Sequence, residues 1–350
     1  MGMVTMKHLA ERLGVSVTTV SNAYNKPDRL SAELREKILA TGGEMGYCGP
    51  DAAGRLLRRG KADSIGVYYG GGLSFIFQDP YASELMAGIT EVLEETGHSL
   101  SLLATTASGT DDADLVRQAV VDALICLAEP GFHTPAMQAA VQRRLPIVYT
   151  HVVADEDIAY VGIDDHHAGL LIGEHLRELG HKRVGVITRS VLGEKLKKVS
   201  LESLQAHYRK HDSQFWLQRL MGILEGLGEG AEVQFAALPR SDAELGAAAT
   251  ARLLDSDEPP TALAALSDAI AMGVLDEVES RGLRPGVDVS VSGFDGLAIA
   301  TARGLTTVTQ PMRKKGRKAA MLAIDPERQP RQITLPVKLA ARTSTGPAPR

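Results

Sequence analysis

The chain has 350 residues, of which 44% are hydrophobic and 23% are charged, and its formal net charge is -5. This composition is ordinary for a folded globular protein and excludes wholesale disorder, a collagen repeat and a coiled-coil rod. The two cysteines, Cys48 and Cys126, lie far apart and outside any metal-ligand spacing, which excludes a disulfide framework and a zinc finger. The N-terminus carries no secretion signal, and no stretch approaches the ~20 apolar residues of a membrane helix. We therefore expect a cytoplasmic protein without a membrane partner.

The charge is distributed unevenly along the chain. Residues 1–62 contain ten lysines and arginines against six acids, a net charge of +4, whereas the remaining 288 residues carry -9. A basic segment joined to an acidic body is typical of a nucleic-acid-binding head. A solvated helical surface is the alternative explanation of the charge alone.

The first 45 residues predict three short helices. Met6, Leu9 and Leu13 recur at helical spacing, with Thr5 as a plausible N-cap and Gly14 as the end of the helix. Serines cap the next two predicted helices. Ser16 precedes a helix that runs to about Tyr24, and Ser31 precedes a helix over residues 32–45. Ala10 and Val20 would let the first two helices pack closely, as in a helix-turn-helix.

The exposed face of the second predicted helix carries short side chains, nearly all of them polar. Such groups suit contacts with phosphates and base edges in a major groove. A generic three-helix bundle does not require such a face, so DNA binding is the favoured interpretation. The residues of this face are Ser16, Val17, Thr18, Thr19, Ser21, Asn22 and Asn25.

Residues 49–62 form a predicted linker. The helical stretch over residues 51–58 is too short to be stable alone, and Gly54 weakens it further. Arg55 can contact phosphates, and Leu57 is an apolar side chain without a core of its own. The combination favours a segment that folds on DNA and inserts a leucine into the minor groove, with a simple basic linker as the alternative.

Residues 5–60 resemble the DNA-binding head of the lactose-repressor/galactose-repressor (LacI/GalR) family of bacterial regulators. The matching residues are Val15, Ser16, Thr19, Val20, Ser21, Asn25, Gly46, Tyr47, Pro50, Arg55 and Leu57. The resemblance implies that Val17, Thr18 and Asn22 contact bases and that Leu57 enters the minor groove. The full set of predicted DNA-binding residues is Thr5, Ser16, Val17, Thr18, Thr19, Ser21, Asn22, Asn25, Arg55 and Leu57.

From residue 65 onward, short apolar runs alternate with amphipathic helices, which predicts parallel sheets with crossover helices. About ten such units exceed one sheet, so we expect two lobes with a ligand cleft at the carboxyl ends of the strands. The apolar runs are residues 65–69, 100–104, 123–127, 147–149, 184–187, 233–237, 262–266 and 287–291. The helical runs include residues 83–96, 168–179, 242–255 and 270–281.

The body extends the resemblance across almost the whole chain, through residues 79–89, 162–184, 219–222, 267–273, 288–295 and 305–311. The resemblance implies an all-α helix-turn-helix head followed by an α/β two-lobed periplasmic-binding-protein-like domain. The implied boundaries are a head over 1–48, a linker over 49–62 and an effector-binding and dimerisation domain over 63–350. Lobe one would comprise about 63–163 and 294–324, and lobe two about 164–293 and 325–345.

The resemblance also implies an effector cleft that contains Tyr81, His151, Arg219, Ser267 and Asp295. An aromatic face can stack on a sugar or base ring, Arg219 offers a planar set of donors, and Asp295 accepts from hydroxyls. His151 occupies a place often held by an acid. The implied partners are a double-stranded DNA operator, a small effector and a second copy of the chain, as a homodimer or a higher assembly, with no cofactor.

Two stretches depart from the family pattern. Residues 70–77 lengthen the first loop, and their aromatic side chains can line the cleft. Residues 188–218 are long for their place and contain six basic residues against three acids, which is explained by an anionic effector or, as the favoured interpretation, by a solvated, mobile loop.

Enzyme motifs are absent from the sequence. Neither a dinucleotide fingerprint, a P-loop nor a nucleophile elbow occurs, and His166, His167, His175 and Glu174 lack the spacing of a zinc protease. The sequence therefore predicts a sequence-specific DNA-binding transcriptional repressor, not an enzyme, that is controlled by a sugar-like or nucleoside-like effector. A solute-binding protein or a small-molecule enzyme on the same body fold is the alternative.

Overall fold

The computed structural model describes residues 4–47, 49, 60–70, 72–104, 112–127, 134–153, 155–189, 197–210 and 214–349. Two compact units, Met1–Ala62 and Asp63–Arg350, make up the chain. Arg55 and Leu57, the predicted DNA-binding residues of the linker, lie outside the described residues. No helix in the described part is long and apolar enough to cross a membrane.

The first unit contains the three predicted helices, α1 (Met6–Leu13), α2 (Val17–Asn25) and α3 (Ala32–Glu44), with a 3-10 turn at Pro27–Arg29. Their predicted caps are confirmed. The side chains of Thr5, Ser16 and Ser31 each accept a backbone N–H bond at a helix start. Gly14 ends α1 with a φ of 67°, in the left-handed region that a glycine adopts without strain.

A small core holds these helices together. Leu9, Val20, Ala23 and Ile38 are completely buried, and the Arg35 Nε on α3 donates to the Ala23 carbonyl at 3.3 Å. The core fixes which face of α2 points outward, because Val20 and Ala23 can only turn towards α1 and α3.

The second unit contains two sheets, and the described helices pack on their faces. The strands are β1 (Ser64–Tyr69), β2 (Ser99–Ala104), β3 (Ala123–Cys126), β4 (Ile147–Tyr149), β5 (Ala159–Ile163), β6 (Arg183–Arg189), β7 (Lys197–Val199), β8 (Glu232–Leu238), β9 (Ala262–Ala265), β10 (Ser290–Asp295), β11 (Thr306–Thr309), β12 (Gln332–Leu335) and β13 (Lys338–Ala340). The helices are α4 (Leu73–Gln78), α5 (Pro80–Thr96), α6 (Asp112–Gln118), α7 (Pro135–Gln142), α8 (Asp165–Glu178), α9 (Leu201–Lys210), α10 (Gln214–Leu227), α11 (Ala243–Leu254), α12 (Asp268–Ser280), α13 (Ala298–Ala302) and α14 (Met312–Ile324).

The first sheet has the strand order β12-β5-β4-β3-β1-β2, and its strands are all parallel. The second has the order β13-β11-β10-β9-β6-β8-β7, in which only the edge strands β13 and β7 are antiparallel. Every residue of β1 is buried, because Ile65 and Val67 face one apolar cluster and Tyr68 faces another. Burial on both faces explains why the strands were recognisable as continuous apolar runs.

The predicted lobe boundaries near 294 and 325 are wrong. Residues 292–295 of β10 pair with residues 306–309 of β11 in the second sheet, so a boundary at 294 would cut this ladder. The chain crosses to the first sheet after β11, where α14 packs against α5. It returns after β12, whose residues 332–335 pair with β5.

Two other expectations also differ from the structure. The apolar run at 287–291 starts too early, because Asp288 accepts from the Arg284 backbone N–H in a turn that leaves Val287 54% exposed. Residues 197–210, expected in a mobile loop, form β7, which pairs with β8, and α9.

Glycines bring the backbones of paired helices into direct contact. A methyl group added at Gly169 of α8 would overlap the Arg219 carbonyl, and one at Gly222 of α10 would overlap the His166 carbonyl. Gly88 of α5 and Gly316 of α14 form the equivalent contact beside the first sheet. These close backbone contacts fix the distance between the paired helices, and so determine which side chains lie next to each other where the helices cross.

We expect Gly222→Ala to lower the free energy of unfolding by about 1–3 kcal/mol, because the added methyl group forces α8 and α10 apart against a packed core. Gln218→Ala on the exposed side of α10 is the matched control and should be neutral. Thermal unfolding of the full chain measures both variants. Equal midpoints for the two variants would contradict the inferred helix contact.

Candidate ligand-binding cleft and nucleic-acid interface

The face of α2 predicted to contact DNA is accessible in part. Ser16, Val17 and Thr18 are exposed, as is Thr5 at the start of α1, and Val17 keeps 45% of its surface exposed. The other predicted residues are half-buried, namely Thr19, Ser21, Asn22 and Asn25. An exposed valine beside an exposed threonine at a helix start suits apolar contact with a thymine methyl and hydrogen bonding to base edges.

Four residues of this face form hydrogen bonds within α2 itself. The Ser16 Oγ accepts from the Thr19 backbone N–H at 2.9 Å, and the Asn25 Nδ2 donates to the Ser21 carbonyl at 2.9 Å. Within the described part of the chain, the side chains of Thr18 and Asn22 have no hydrogen-bond partner. Thr18 and Asn22 are therefore the polar side chains of α2 best placed to bind another molecule.

A cavity opens in the second unit at the carboxyl ends of strands from both sheets. It encloses about 760 Å³ of space, which includes the open solvent at its mouth. All five residues predicted for the cleft line it. They are Tyr81 on α5, His151 after β4, Arg219 on α10, Ser267 after β9 and Asp295 at the end of β10.

Arg219 lies in a buried ion pair. Its Nε donates to the Asp165 Oδ1 at 2.7 Å, its Nη1 donates to the Leu266 carbonyl at 3.1 Å, and its guanidinium carbon lies 3.6 Å from the Phe294 ring centroid. Burial raises the pKa of Asp165, and the Arg219 charge opposes that shift. Removing one member of such a pair leaves a buried charge without its partner, at a typical cost of about 3–5 kcal/mol.

A chain of hydrogen bonds joins the end of β10 to helix α5 through α14. Asp295 Oδ1 accepts from the Gln310 Nε2 at 2.7 Å, and Gln310 Oε1 accepts from the Lys315 Nζ at 3.0 Å. Lys315 also donates to the Tyr81 hydroxyl at 3.1 Å. These hydrogen bonds link groups from both sheets across the crossover of the polypeptide at 310–311.

Burial controls the protonation of the groups that line the cavity. It raises the pKa of Asp295 and lowers the pKa of Lys315 to about 8. It also lowers the pKa of His151 to about 4, with a smaller contribution from the Lys315 charge. His151 is therefore a neutral imidazole at neutral pH, able to donate or accept a hydrogen bond.

A second buried carboxylate holds Asp295 in place. Asp295 has a φ of 114°, an uncommon value for a residue with a side chain. Asp268 accepts from the backbone N–H groups of Gly296 at 2.8 Å and Leu297 at 2.7 Å, and from the Thr307 hydroxyl at 2.7 Å. These bonds fix the turn after β10, so the strain at Asp295 is maintained by its surroundings. Burial raises the pKa of Asp268 to about 6.

Aromatic rings form one wall of the cavity. The Phe215 ring centroid lies 5.2 Å from that of Trp216 and 5.6 Å from that of His151. The Trp216 Nε1 is buried and has no hydrogen-bond partner within the described part of the chain. This wall can stack on a planar or sugar ring.

Asp165 and Lys315, which the sequence analysis did not predict, also line the cavity. Asp165 lies in the range 162–184 that resembles the family, so its position was a usable signal. Lys315 follows Arg313 and Lys314, a pattern typical of an exposed helix face. The expectation that the aromatics of residues 70–77 line the cleft is wrong for Phe77, which is 71% exposed because α4 turns Ile76 inward. The Phe75 side chain lies outside the described residues.

No cluster of metal-ligating side chains occurs among the described residues. His166 faces Glu225 at 3.3 Å, and His175 bonds the Thr345 hydroxyl at 2.8 Å. Both rings therefore have partners in the described structure that account for their positions.

Each of the two units matches a known protein family. Residues 5–49 match the model for bacterial regulatory proteins of the lacI family, and residues 174–345 match a periplasmic binding protein-like domain. The HTH-type transcriptional regulator Rv3575c of Mycobacterium tuberculosis is 34% identical over 331 residues, which cover 93% of this chain and 91% of the relative.

Two solved structures share the fold. The lac repressor dimer bound to operator and the anti-inducer ONPF has a TM-score of 0.76 at 23% identity, over 99% of this chain and 100% of that one. The complex of the transcriptional regulator CelR with cellobiose has a TM-score of 0.67 at 24% identity, over 98% and 100%. These likenesses confirm the predicted fold class, a helical head followed by a two-lobed α/β body.

The helix-turn-helix head, the body with its two largely parallel sheets and the identity with Rv3575c over nearly the full length lead to one conclusion. The chain belongs to the lacI family of bacterial regulatory proteins and is a DNA-binding transcriptional regulator.

Proposed function

We propose that the chain is a repressor that binds a pseudo-palindromic operator as a homodimer and is controlled by a sugar-like or nucleoside-like effector in the cleft of its body. The observation that carries the proposal is the convergence of Tyr81, His151, Arg219, Ser267 and Asp295 on one cavity. Tyr81 and Asp295, the first and the last of the five, are more than 200 positions apart in the sequence. A shared ligand site explains why the fold brings all five side chains to one cavity. The lac repressor relative, a dimer on its operator with an anti-inducer, and the CelR–cellobiose complex support the same assignment.

The chemistry of the cavity suits a ring that carries hydroxyl groups. Phe215 and Trp216 offer an apolar wall, and Arg219 and Ser267 offer donors. Asp295 uses one carboxylate oxygen for Gln310 and retains lone pairs for ligand hydroxyls. Sites of this kind bind through a few convergent polar groups set in an apolar lining.

Control of DNA binding requires that the effector prefer one of two conformations of the protein. The cavity residues come from both sheets, and the chain crosses between the sheets three times. A ligand that contacts both sides therefore binds best at one separation of the lobes. We propose that this separation alters operator affinity through the dimer and through the linker, where the roles of Arg55 and Leu57 stay predictions.

We also propose that the protein acts in the cytoplasm and binds its effector without converting it. The interpretation as an enzyme predicts turnover of any ligand that stabilises the body. Stoichiometric binding with full recovery of the unmodified ligand is the expected result. Product formation would contradict the proposal.

A gel-shift titration of the protein against its own promoter fragment tests the regulatory proposal. The full chain should bind at one specific site, and a variant that lacks residues 1–62 should not bind at all. Persistent binding by the truncated variant would contradict the assignment of DNA binding to the head.

We expect Thr18→Ala to weaken specific operator binding by about 1–3 kcal/mol and to leave non-specific binding nearly unchanged, because Thr18 is an exposed, unpartnered hydroxyl on α2. Thr41→Ala on α3 is the control and should bind as the wild type does. Fluorescence anisotropy with operator and scrambled duplexes, at one stated salt concentration, measures both. Equal loss on both duplexes would place Thr18 on the phosphate backbone instead of the bases.

We expect Asp295→Asn to weaken the binding of any effector found in a thermal-shift screen of sugars, sugar phosphates and nucleosides by about 10–100-fold. A carboxyl group with two acceptor oxygens is replaced by an amide with one, whereas asparagine tolerates the positive φ that this position requires. Asp257→Asn, at an exposed site, is the control. Calorimetric titration gives the two dissociation constants. An unchanged Kd for Asp295→Asn would remove Asp295 from the site.

A further inference from the structure

Lys315 is a buried ammonium group whose direct partners are neutral. Only 2% of its surface is exposed. Two of its three N–H groups donate to the Tyr81 hydroxyl at 3.1 Å and to the Gln310 Oε1 at 3.0 Å. Within the described part of the chain, no carboxylate lies within ion-pair distance of its Nζ. Its third N–H has no acceptor among the described residues, and the side chain lines the cavity.

The neighbouring charged groups are already engaged. Arg219 is paired with Asp165, Asp295 accepts from Gln310, and Asp79 accepts from the Tyr81 backbone N–H at the start of α5. Burial of a charge without a directly bonded counter-charge is expensive, and proteins normally pair such groups. Among the described residues, the Lys315 ammonium has no directly bonded counter-charge of this kind.

The indole N–H of Trp216 also lacks an acceptor among the described residues. Its Nε1 is buried in the wall of the same cavity and has no partner in the described structure. One N–H of the Lys315 ammonium and the indole N–H of Trp216 therefore lack an acceptor among the described residues, and such a pair of donors matches a group with several negatively charged oxygens. Carboxylates and phosphates are such groups, since each accepts several charge-assisted hydrogen bonds.

We propose that Lys315 and Trp216 form a subsite for an anionic oxygen group, so that the effector is a sugar acid or a sugar phosphate rather than a neutral sugar. This inference rests on the proposed function of the cleft as the effector site. The free lone pairs of Asp165 and Asp295 bind the hydroxyl groups of the same ligand, at a distance from its anionic end. The carboxylates then exclude a second anionic group, which restricts the ligand further.

The subsite makes effector affinity depend on pH. Lys315 has a pKa of about 8, so it is mostly charged at neutral pH and loses its proton as the pH rises through that value. The preference for an acidic ligand is thus present below about pH 8 and declines above it, and a bound anion moves the decline to higher pH. The titratable and charged groups that face Lys315 from the surrounding elements are Asp79, Tyr81, His151, Asp165, Arg189, Arg219 and Asp295.

Matched pairs of ligands test the proposal on the full chain. Glucose is compared with glucuronate, and ribose with ribose 5-phosphate, by thermal shift and calorimetric titration. We expect the wild type to bind the acidic member of at least one pair about tenfold more tightly at pH 7. The glucuronate arm identifies a carboxylate as the preferred anion, and the ribose 5-phosphate arm identifies a phosphate.

Three variants assign the preference to the charge of Lys315. Lys315→Met removes the charge and the hydrogen bonds, Lys315→Gln removes the charge but keeps N–H donors on a shorter side chain, and Lys314→Met on the exposed side of α14 is the control. Both Lys315 variants should lose the preference for the acid, and the control should keep it. Lys315→Met should also unfold at the same or a higher temperature without ligand, because it removes a buried charge that lacks a bonded counter-charge.

The proposal is wrong if no acid exceeds its neutral partner, if Lys315→Gln keeps the preference, or if the preference does not change between pH 7 and pH 9. A marked loss of stability in both Lys315 variants would also contradict it, because Lys315 would then be a structural charge. Neutral sugars that bind the wild type but not Asp295→Asn would leave the proposed function intact and overturn only the anionic subsite. A protein whose DNA binding responds to no ligand would instead overturn the proposed function.

Discussion

The contact between the backbones of α8 and α10 is the constraint on which the ligand cleft depends. Gly169 and Gly222 let the two helices approach until carbonyl groups lie where a side chain would otherwise be. At this separation Asp165 on α8 and Arg219 on α10 meet at 2.7 Å. Gly88 and Gly316 bring α5 and α14 together in the same way, beside Tyr81 and Lys315. Two glycine contacts, one beside each sheet, thus set the positions of the charged groups on both sides of the cavity.

Close packing also decides how costly these groups are to bury. Arg219 and Asp165 lose nearly all contact with water, and the Phe294 ring covers the guanidinium. An arrangement of this kind contributes little net stability, because desolvation consumes most of the attraction between the charges. Asp295 adds backbone strain that the bonds to Asp268 maintain. Buried polar groups contribute less to stability than apolar side chains would in their place, and here they are concentrated at the cavity. Such a concentration is expected at a ligand-binding site.

Local rules predicted the three described helices of the first unit. The serine and threonine caps, the left-handed Gly14 and the inward Val20 and Ala23 follow from short-range chemistry and from the helical period. In the second unit, most of the buried central strands were visible as apolar runs, but β5 and β11 were not among the predicted runs. The short strands β12 and β13 were also missed, because edge strands of three or four residues have no distinctive pattern. The misplaced lobe boundaries follow from this, since these strands and β11 determine where the chain crosses.

In the cavity too, some residues were predicted from the sequence and others were missed. Its five predicted residues came from resemblance to a family, and periodicity alone would not have united positions from 81 to 295. Lys315 was missed because a lysine in a basic run is ordinarily solvated, and only the contact at the neighbouring Gly316 turns it inward. Burial of that residue is a property of two helices together, which no local stretch of sequence contains.

The central claim is that occupation of the cleft and binding of the operator are energetically coupled in one chain. Reciprocity tests it most directly, because an effector that changes operator affinity by some factor must have its own affinity changed by the operator by the same factor. We would measure the Kd for operator with and without saturating effector, and the Kd for effector with and without saturating operator. Energetic coupling predicts two equal factors, each different from one. Operator affinity that does not change when the cleft is saturated would contradict it.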